Sequence, residues 1–153
     1  MELEKMGQLS KEAARTLIRL SQPVKNACLI SVAANLEKEA DRIIEANQKD
    51  IENGRQNNMP EALLDRLSLT KERIAGIAEG VRQVAALEDP VGEVLSMKQR
   101  PNGLMIGKKR VPLGVIGMIY ESRPNVTVDA FSLCFKTGNA VILRGGSDAI
   151  HSN

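Results

Sequence analysis

Two polar segments near the end of the sequence carry the residue types best suited to chemistry. Residues 121–125 (ESRPN) follow one apolar stretch, and residues 144–147 (RGGS) follow a second one. The side-chain amide of Asn125 can donate an N–H to a developing oxyanion. The glycine pair allows a phosphate or ribose to approach the backbone, and the Arg144 guanidinium can hold a phosphate through two N–H groups. Both segments therefore indicate recognition of anionic groups.

Each of these features also has a purely structural explanation. Asparagine is a favourable helix N-cap, so Asn125 can instead close the start of the helix that follows it. Residues 144–147 equally fit an ordinary turn from a strand into a helix. Gly114 and Gly117 are three residues apart and do not form the GxGxxG pattern of common dinucleotide sites. We interpret these two glycines as points where a strand packs closely against helices.

A strand, a helix and a second strand are predicted to position the two polar segments. Residues 111–120 and 140–143 are apolar and rich in branched side chains, which is typical of strands buried on both faces. Because a helix joins them, the strands are expected to be parallel. Ligands of parallel sheets bind beyond the carboxyl ends of the strands. Both polar segments lie at such ends.

Helices are predicted over most of the first 90 residues. We place them at 9–20, from a cap at Ser21 to about Asp50, at 61–66, and from a cap at Thr70 to just before Asp89, with a turn-rich break around 53–60. The last of them has apolar residues at helical spacing, namely Ile74, Ile77, Ala78, Val81, Val84 and Ala85. Lys25 is expected on a solvated surface, and a stripe through Val24 and Cys28 is expected to face the core.

Residues 91–110 predict a β-hairpin. Two short extended runs flank residues 100–103 (RPNG), where proline suits a central turn position and glycine the left-handed position that follows. The strands carry Lys98, Lys108, Lys109 and Arg110, so burial on both faces is not expected. The residues alone are fully compatible with an ordinary surface hairpin.

Composition narrows the classes of function. The chain has 153 residues, of which 42% are apolar, and 21 basic residues nearly balance 19 acidic ones. One tyrosine and two phenylalanines offer little stacking surface, so nucleic-acid binding is not expected. No apolar run is long enough to span a membrane and no signal peptide is visible, which favours a cytoplasmic location. Cys28, Cys134 and His151 show no metal-binding spacing, so we predict two buried cysteines and no metal site.

The sequence resembles the gamma-glutamyl phosphate reductase family, also called glutamate-5-semialdehyde dehydrogenase, of the aldehyde dehydrogenase superfamily. The likeness lies in residues 111–127 (VPLGVIGMIYESRPNVT) and 138–147 (GNAVILRGGS), with shorter motifs at 46–47 (AN), 64–67 (LDRL) and 89–92 (DPVG). It covers nearly the whole chain. It implies an aldehyde dehydrogenase-like α/β fold with three parts: a helical segment at 1–90, a β-hairpin oligomerisation arm at 91–110, and the first, incomplete βαβ of an NADP-binding domain at 111–153.

The resemblance also implies an activity and a set of site residues. The reaction is NADPH-dependent reduction of L-glutamate 5-phosphate to L-glutamate 5-semialdehyde and phosphate, in L-proline biosynthesis. Asn125 becomes the expected oxyanion donor rather than a cap, and Arg123 an expected substrate contact. The implied NADPH/NADP contacts are Glu121, Ser122, Arg144, Gly145, Gly146 and Ser147, with Tyr120 in the wall beside the nicotinamide.

Further expectations follow from the same resemblance. The nucleophilic cysteine of the family would lie beyond residue 153, so the chain by itself is expected to be inactive. A homo-oligomer is expected at full length, and association with glutamate 5-kinase is a further expectation; membrane partners are not expected. Two alternatives remain open: the reductase portion of a bifunctional pyrroline-5-carboxylate synthase, and a non-catalytic binding or assembly module.

Overall fold

The computed structural model describes residues 2–153, and within them six helices accompany two two-stranded sheets. In chain order the elements are α1 (Leu3–Leu17), α2 (Gln22–Lys38), α3 (Ala40–Gln56), α4 (Glu61–Leu67), α5 (Lys71–Ala86), β1 (Val94–Gln99), β2 (Met105–Lys109), β3 (Val115–Ile119), α6 (Pro124–Lys136), β4 (Ala140–Arg144) and a 3-10 turn (Ser147–Ala149). The predicted succession of helices, hairpin and βαβ unit is confirmed.

The first helices differ from the prediction in their bounds. Helix α1 begins at Leu3 rather than Leu9, and the long second helix is two helices separated at Glu39, whose backbone leaves the helical region (φ −93°, ψ 13°). The break places Ala40 in a cluster with Leu69 and Ile74. The predicted turn at 53–54 is also wrong, because α3 continues to Gln56.

Gly54 allows α3 and the following segment to lie close together. A Cβ at this position would approach Leu64 Cδ2 to 2.9 Å and Met59 Sδ to 3.3 Å. Leu64 and Leu67 of α4 are buried against Ile51 of α3. The glycine that the sequence suggested as a helix breaker therefore serves as a close contact inside the helical segment.

The predicted buried face of α2 is wrong in its first turns, whereas Val32 and Leu36 further along the predicted stripe do pack against the core. Leu29 and Ala33 are fully buried and pack with Ala78 and Val81 of α5. Val24 and Cys28 are exposed instead, so their predicted place in the core is wrong. The predicted face of α5 is confirmed, since every apolar position named for it is buried or half-buried.

Two lysines are buried where helices meet, which corrects the expectation that Lys25 is solvated. Lys25 and Lys136 are 1% and 2% exposed. Lys25 Nζ pairs with the Asp89 carboxylate and donates to the Lys136 carbonyl oxygen at 3.0 Å. Lys136 Nζ donates to Asn26 Oδ1 at 2.7 Å and to the Ala85 carbonyl oxygen at 2.8 Å. Desolvation lowers the pKa of the Lys136 ammonium, and Lys25 adds to that effect while Asp89 opposes it.

Local turn and cap chemistry behaves as predicted at two places. Thr70 Oγ1 accepts a hydrogen bond from Arg73 N at 3.2 Å and so caps α5. In the hairpin, β1 and β2 pair antiparallel, and Gly103 has the left-handed backbone (φ +83°) that the turn requires. Gly103 N donates to the Arg100 carbonyl oxygen at 2.8 Å and closes that turn.

Strands β3 and β4 are parallel, with register from Val115↔Ala140 to Ile119↔Arg144. The prediction that the first strand is buried on both faces is wrong, because Leu113 and Ile119 are 86% and 85% exposed. Its side chains alternate between exposed and half-buried positions. Helix α1 lies beside the start of β3, at Val115, and does not cover the strand's end.

No helix packs closely against the glycines of this strand. A Cβ at Gly114 or Gly117 would meet no atom within 4 Å, so our interpretation of them is wrong. Gly114 instead has a positive φ of 112°, which L side chains rarely adopt. Its N–H donates to Asn139 Oδ1 at 2.9 Å, and its carbonyl oxygen accepts from Ala140 N at 2.9 Å. The glycine thus starts the pairing of β3 with β4.

Candidate active site

The parallel register brings the two polar segments together at one edge of the sheet. Tyr120 N donates to the Arg144 carbonyl oxygen at 3.1 Å, one position beyond the β3–β4 ladder. Ser122, after β3, donates through Oγ to Asp148 Oδ2, after β4, at 3.2 Å. The residues that the resemblance implies as cofactor contacts therefore surround one pair of strand ends.

Asn125 is the second residue of α6 and not its N-cap. Pro124 is the first helical residue, and Arg123 takes the cap position with an extended backbone (φ −130°, ψ 97°) and no side-chain cap bond. The capping explanation for Asn125 is therefore wrong. Its Nδ2 donates to Asp129 Oδ2 at 3.1 Å, one turn along the helix. An amide nitrogen carries two hydrogens, so a second N–H is free for a ligand.

Two adjoining cavities open beside these residues. The larger, about 670 Å³, lies between α4, the start of α5 and the start of α6; its lining includes Asp65, Arg66, Ser68, Arg73, Arg123, Asn125 and Asp129. The smaller, about 370 Å³, is lined by Met59, Leu63, Arg66, Leu67, Glu121, Ser122, Arg123 and Asp148. Arg66 and Arg123 line both. We refer to the two cavities together as the cleft.

The larger cavity has a surplus of positive charge. Three arginines face two aspartates, and both aspartates are already engaged. Arg73 Nη2 lies 2.7 Å from Asp65 Oδ1, and Arg73 Nη1 donates to the Ser68 carbonyl oxygen at 2.8 Å. Asp129 accepts from Asn125. Within residues 2–153, the guanidiniums of Arg66 and Arg123 make no hydrogen bond or ion pair, so they are free to bind an anion.

The glycine pair after β4 is packed tightly against the protein itself. A Cβ on Gly146 would collide with Ser122 Oγ, and one on Gly145 would collide with the Asn153 side chain. The helix start expected after this turn is only the 3-10 turn Ser147–Ala149. Because glycine has no side chain, the segment after β4 can lie in close contact with the segment after β3. Arg144 and Ser147 remain exposed beside it.

Tyr120 is anchored at the same edge. Its hydroxyl lies 2.6 Å from Thr127 Oγ1, which donates to Asn153 Oδ1 at 2.7 Å. The ring is half-buried. These contacts fix the side chain between the start of α6 and the segment after β4, where the family resemblance implies a cofactor wall.

Two buried residues of α3 position this region, and the sequence interpretation gave neither a role. Asn47 and Asp50 are 0% and 1% exposed. Asp50 Oδ2 accepts from Ser152 N at 2.8 Å and from Ser152 Oγ at 2.6 Å, and the carboxylate also accepts from His151 N. Their spacing could have revealed them in the sequence, since the polar residues at 47 and 50 fall on the helix face that buries Ile51.

Asn47 joins both walls of the cleft. Its Oδ1 accepts from Leu69 N at 2.8 Å, and its Nδ2 donates to the Leu67 carbonyl oxygen at 2.8 Å. The same nitrogen donates to Ser152 Oγ at 3.0 Å. One side chain therefore connects the end of α4 to the segment that follows β4.

Neither cysteine lines the cleft. Cys134 is buried on α6, as predicted, and desolvation raises the pKa of its thiol. Cys28 is exposed on α2. In the described part of the chain, no group of three or more His, Cys, Asp or Glu side chains could hold a metal ion, and no helix is long and apolar enough to cross a membrane.

Comparison with known proteins shows what this chain is similar to. No family model matches the sequence. The gamma-glutamyl phosphate reductase of Moorella thermoacetica is 57% identical over 153 residues, covering 100% of this chain and 37% of that protein. The protein of the same name from Halothermothrix orenii is 59% identical over 144 residues, covering 94% and 34%. The chain is homologous to part of gamma-glutamyl phosphate reductase.

Solved gamma-glutamyl phosphate reductases have the same fold over this region. The crystal structure from Thermotoga maritima matches with a TM-score of 0.96 at 42% identity, covering 100% of this chain and 37% of that one. The Saccharomyces cerevisiae structure matches with a TM-score of 0.91 at 32% identity, covering 97% and 38%. The resemblance seen in the sequence is confirmed. This chain spans a little over a third of the length of the curated relatives it matches.

Proposed function

We propose that the chain forms the N-terminal part of an NADPH-dependent reductase that converts L-glutamate 5-phosphate to L-glutamate 5-semialdehyde and phosphate, in L-proline biosynthesis. The observation that carries the proposal is the Asn125 amide, which has an unused N–H in a cleft that also holds two free guanidiniums. An acyl phosphate presents a carbonyl beside negatively charged oxygens, so such a cleft suits it. Homology to gamma-glutamyl phosphate reductase supports the same assignment.

Asn125 would act on the charge that develops during acyl transfer. A cysteine thiolate attacks the carbonyl carbon, and the carbonyl oxygen becomes an oxyanion. The tetrahedral species then expels phosphate and leaves a thioester. Asn125 Nδ2 donates to this oxyanion, and again to the oxyanion formed when the thioester is reduced. Because Asp129 holds the amide in place before the substrate arrives, the donor needs no reorganisation.

The residues after β4 fit an NADP-type cofactor, which supplies the hydride when bound. Arg144 and Ser147 are exposed, and neither side chain is engaged by a protein group within residues 2–153. The guanidinium can bind a 2′-phosphate through two N–H groups, and the neutral Ser147 hydroxyl does not repel it. Glu121, Ser122, Gly145 and Gly146 would form the remaining wall of this site.

Cys28 and Cys134 are not proposed as the nucleophile. Cys28 lies on α2 away from the cleft lining, and Cys134 is buried with a raised thiol pKa, which disfavours the reactive thiolate. We therefore expect no reductase turnover from residues 1–153 alone. The nucleophile would come from another segment of a longer polypeptide.

The hairpin is proposed as an assembly arm of the full-length homo-oligomer. The side chains of Leu95, Met97 and Met105 are each more than half exposed. Apolar side chains so exposed on a two-stranded ribbon are typical of surfaces that another chain covers.

A polypeptide that contains this chain and the nucleophile-bearing segment tests the proposal. Glutamate 5-semialdehyde, phosphate and NADP are supplied, and NADPH formation is followed by absorbance. Loss of one oxyanion donor lowers kcat about 10²- to 10³-fold, which is the effect expected for Asn125→Ala. Asn35→Ala, at an exposed position of α2, is the control and should keep full activity. Equal activities of the two variants would exclude Asn125 from the reaction.

A further inference from the structure

The free guanidiniums of the cleft point to a binding site of their own. We propose that Arg66 of α4 and Arg123 at the start of α6 together bind an oxyanion group of the substrate, either a carboxylate or a phosphate monoester. Both residues line both cavities. The assignment of this ligand as a substrate rests on the proposed function, whereas the anion site itself rests on the charges and contacts of the cleft.

Arg66 projects from a firmly held helix. Its neighbours Leu64 and Leu67 are 5% and 0% exposed, so α4 is anchored on the side opposite the arginine. Arg73 donates to the carbonyl oxygens of Asp65 and Ser68, which fixes the end of α4 on α5. A guanidinium on a rigid element loses less conformational freedom on binding than one on a mobile loop.

The charges favour the larger cavity over the smaller. In the larger cavity both aspartates already accept hydrogen bonds, from Arg73 and Asn125. The smaller cavity adds the carboxylates of Glu121 and Asp148 to the same two arginines, which cancels their charge. An anion is therefore expected in the larger cavity, beside the Asn125 amide. A guanidinium pairs with a carboxylate or phosphate through two parallel N–H···O bonds.

Arg66 extends the substrate contacts into the helical segment. Arg123 follows β3 and shares its segment with Asn125, whereas Arg66 reaches the cleft from α4. An acyl phosphate held at Asn125 by its carbonyl would present its second charged end within the same cavity. Arg66 thus selects substrates that carry an oxyanion in addition to the reacting group.

NMR titration of the isotopically labelled chain in a phosphate-free buffer of constant ionic strength tests the site. Inorganic phosphate is the first probe and glutarate, a dicarboxylate, the second. Saturable shifts are expected for the amides of 66, 123 and 125 with at least one probe, and the tighter probe identifies the favoured group. Arg66→Gln and Arg123→Gln should each weaken binding roughly ten- to a hundredfold, the loss expected for one charge-assisted contact.

Arg55→Gln is the matched control, because Arg55 is exposed on the last turn of α3 and forms no ion pair within residues 2–153. It should leave both affinities unchanged. Arg66→Lys keeps the charge but loses the paired donors, so it should bind detectably and more weakly than wild type. It carries the test if Arg66→Gln does not fold.

Two results would overturn the site: wild-type shifts that fail to saturate, or equal weakening in Arg55→Gln and Arg66→Gln. The titration measures binding alone, so it stands apart from catalysis. A longer polypeptide without NADPH-linked turnover would refute the proposed function and leave the anion site intact. Normal turnover and substrate KM in Arg66→Gln would refute Arg66 as a substrate contact and leave the reductase assignment intact.

Discussion

Replacing Asp89 with asparagine should lower the free energy of unfolding more than the same replacement of an aspartate on the surface. Asp89 is the ion-pair partner of Lys25, and the Lys136 ammonium lies close enough to respond to both charges. Asparagine keeps the oxygen that accepts from Val91 N, so the substitution chiefly removes the negative charge. Two buried ammonium groups would then remain without a carboxylate.

The magnitude follows from the burial of the pair. The side chains of Lys25 and Asp89 are 1% and 11% exposed. Removing one partner of a buried pair typically costs about 3–5 kcal/mol, because the remaining charge stays desolvated. Domains unfold with a free energy of roughly 5–15 kcal/mol, so the loss is a large share of the total. Asp65→Asn, in the exposed pair with Arg73, should cost only about 0.2–1 kcal/mol.

Urea unfolding followed by circular dichroism measures both variants. If Asp89→Asn costs no more than Asp65→Asn, the buried lysines do not depend on Asp89 and the reasoning fails. The double variant Lys25→Met with Asp89→Asn should recover part of the loss, since both charges of the pair are then absent.

The pH dependence of the same variant gives an independent check. A lysine whose pKa is lowered in the folded state binds fewer protons there than in the unfolded chain, so its stability contribution rises with pH up to the unfolded pKa. Asp89 raises the pKa of Lys136, so its removal lowers that pKa further. The deficit of Asp89→Asn relative to wild type should therefore shrink as pH increases toward 10.5. The raised pKa of the Cys134 thiol gives stability the opposite pH dependence. Wild type and variant share this contribution, so it cancels when their free energies of unfolding are subtracted.

Two further predictions concern the thiols and the cofactor. Cys28 should react with a disulfide reagent in the folded chain and Cys134 only after unfolding, as measured by thionitrobenzoate release; two equally fast thiols would contradict the assigned burial. In a longer polypeptide that contains the whole enzyme, Arg144→Ala should lower the preference for NADPH over NADH about ten- to a hundredfold, and Ser147→Glu should lower it through repulsion. An undiminished preference in both variants would remove these residues from the cofactor site.

The elements predicted correctly are those whose signals are local. Thr70 caps α5 within one turn, and the hairpin turn needs only a proline and a glycine at residues 101 and 103. The prediction for the first turns of α2 is wrong because the buried face there includes Lys25. That lysine is tolerated in the core through contacts far along the chain, including the Lys136 carbonyl oxygen 111 residues away. A pattern of apolar spacing cannot contain that information.

The position of Asn125 could have been obtained from the sequence. Proline is favoured at the first position of a helix, so Pro124 makes Arg123 the cap and Asn125 a residue of the first turn. The exposure of Ile119 could not have been predicted from the sequence, because an apolar strand has the same composition whether one or both of its faces are covered. The cleft charges also needed the structure, since only tertiary contacts show that Asp65 and Asp129 are engaged while Arg66 is free.

The candidate site depends on both sides of the boundary that the sequence suggested near residue 90. Arg66 reaches the cleft from α4, and Arg123 and Asn125 reach it from the start of α6. Asn47 on α3 bonds the chain at Leu67 and Leu69 on one wall and Ser152 on the other. The buried Asn47 amide can make all of these hydrogen bonds only while both walls keep their positions. A buried polar group that loses its partner costs free energy. The helical segment is therefore one half of the cleft, and its packing sets the distance across which an anion is held.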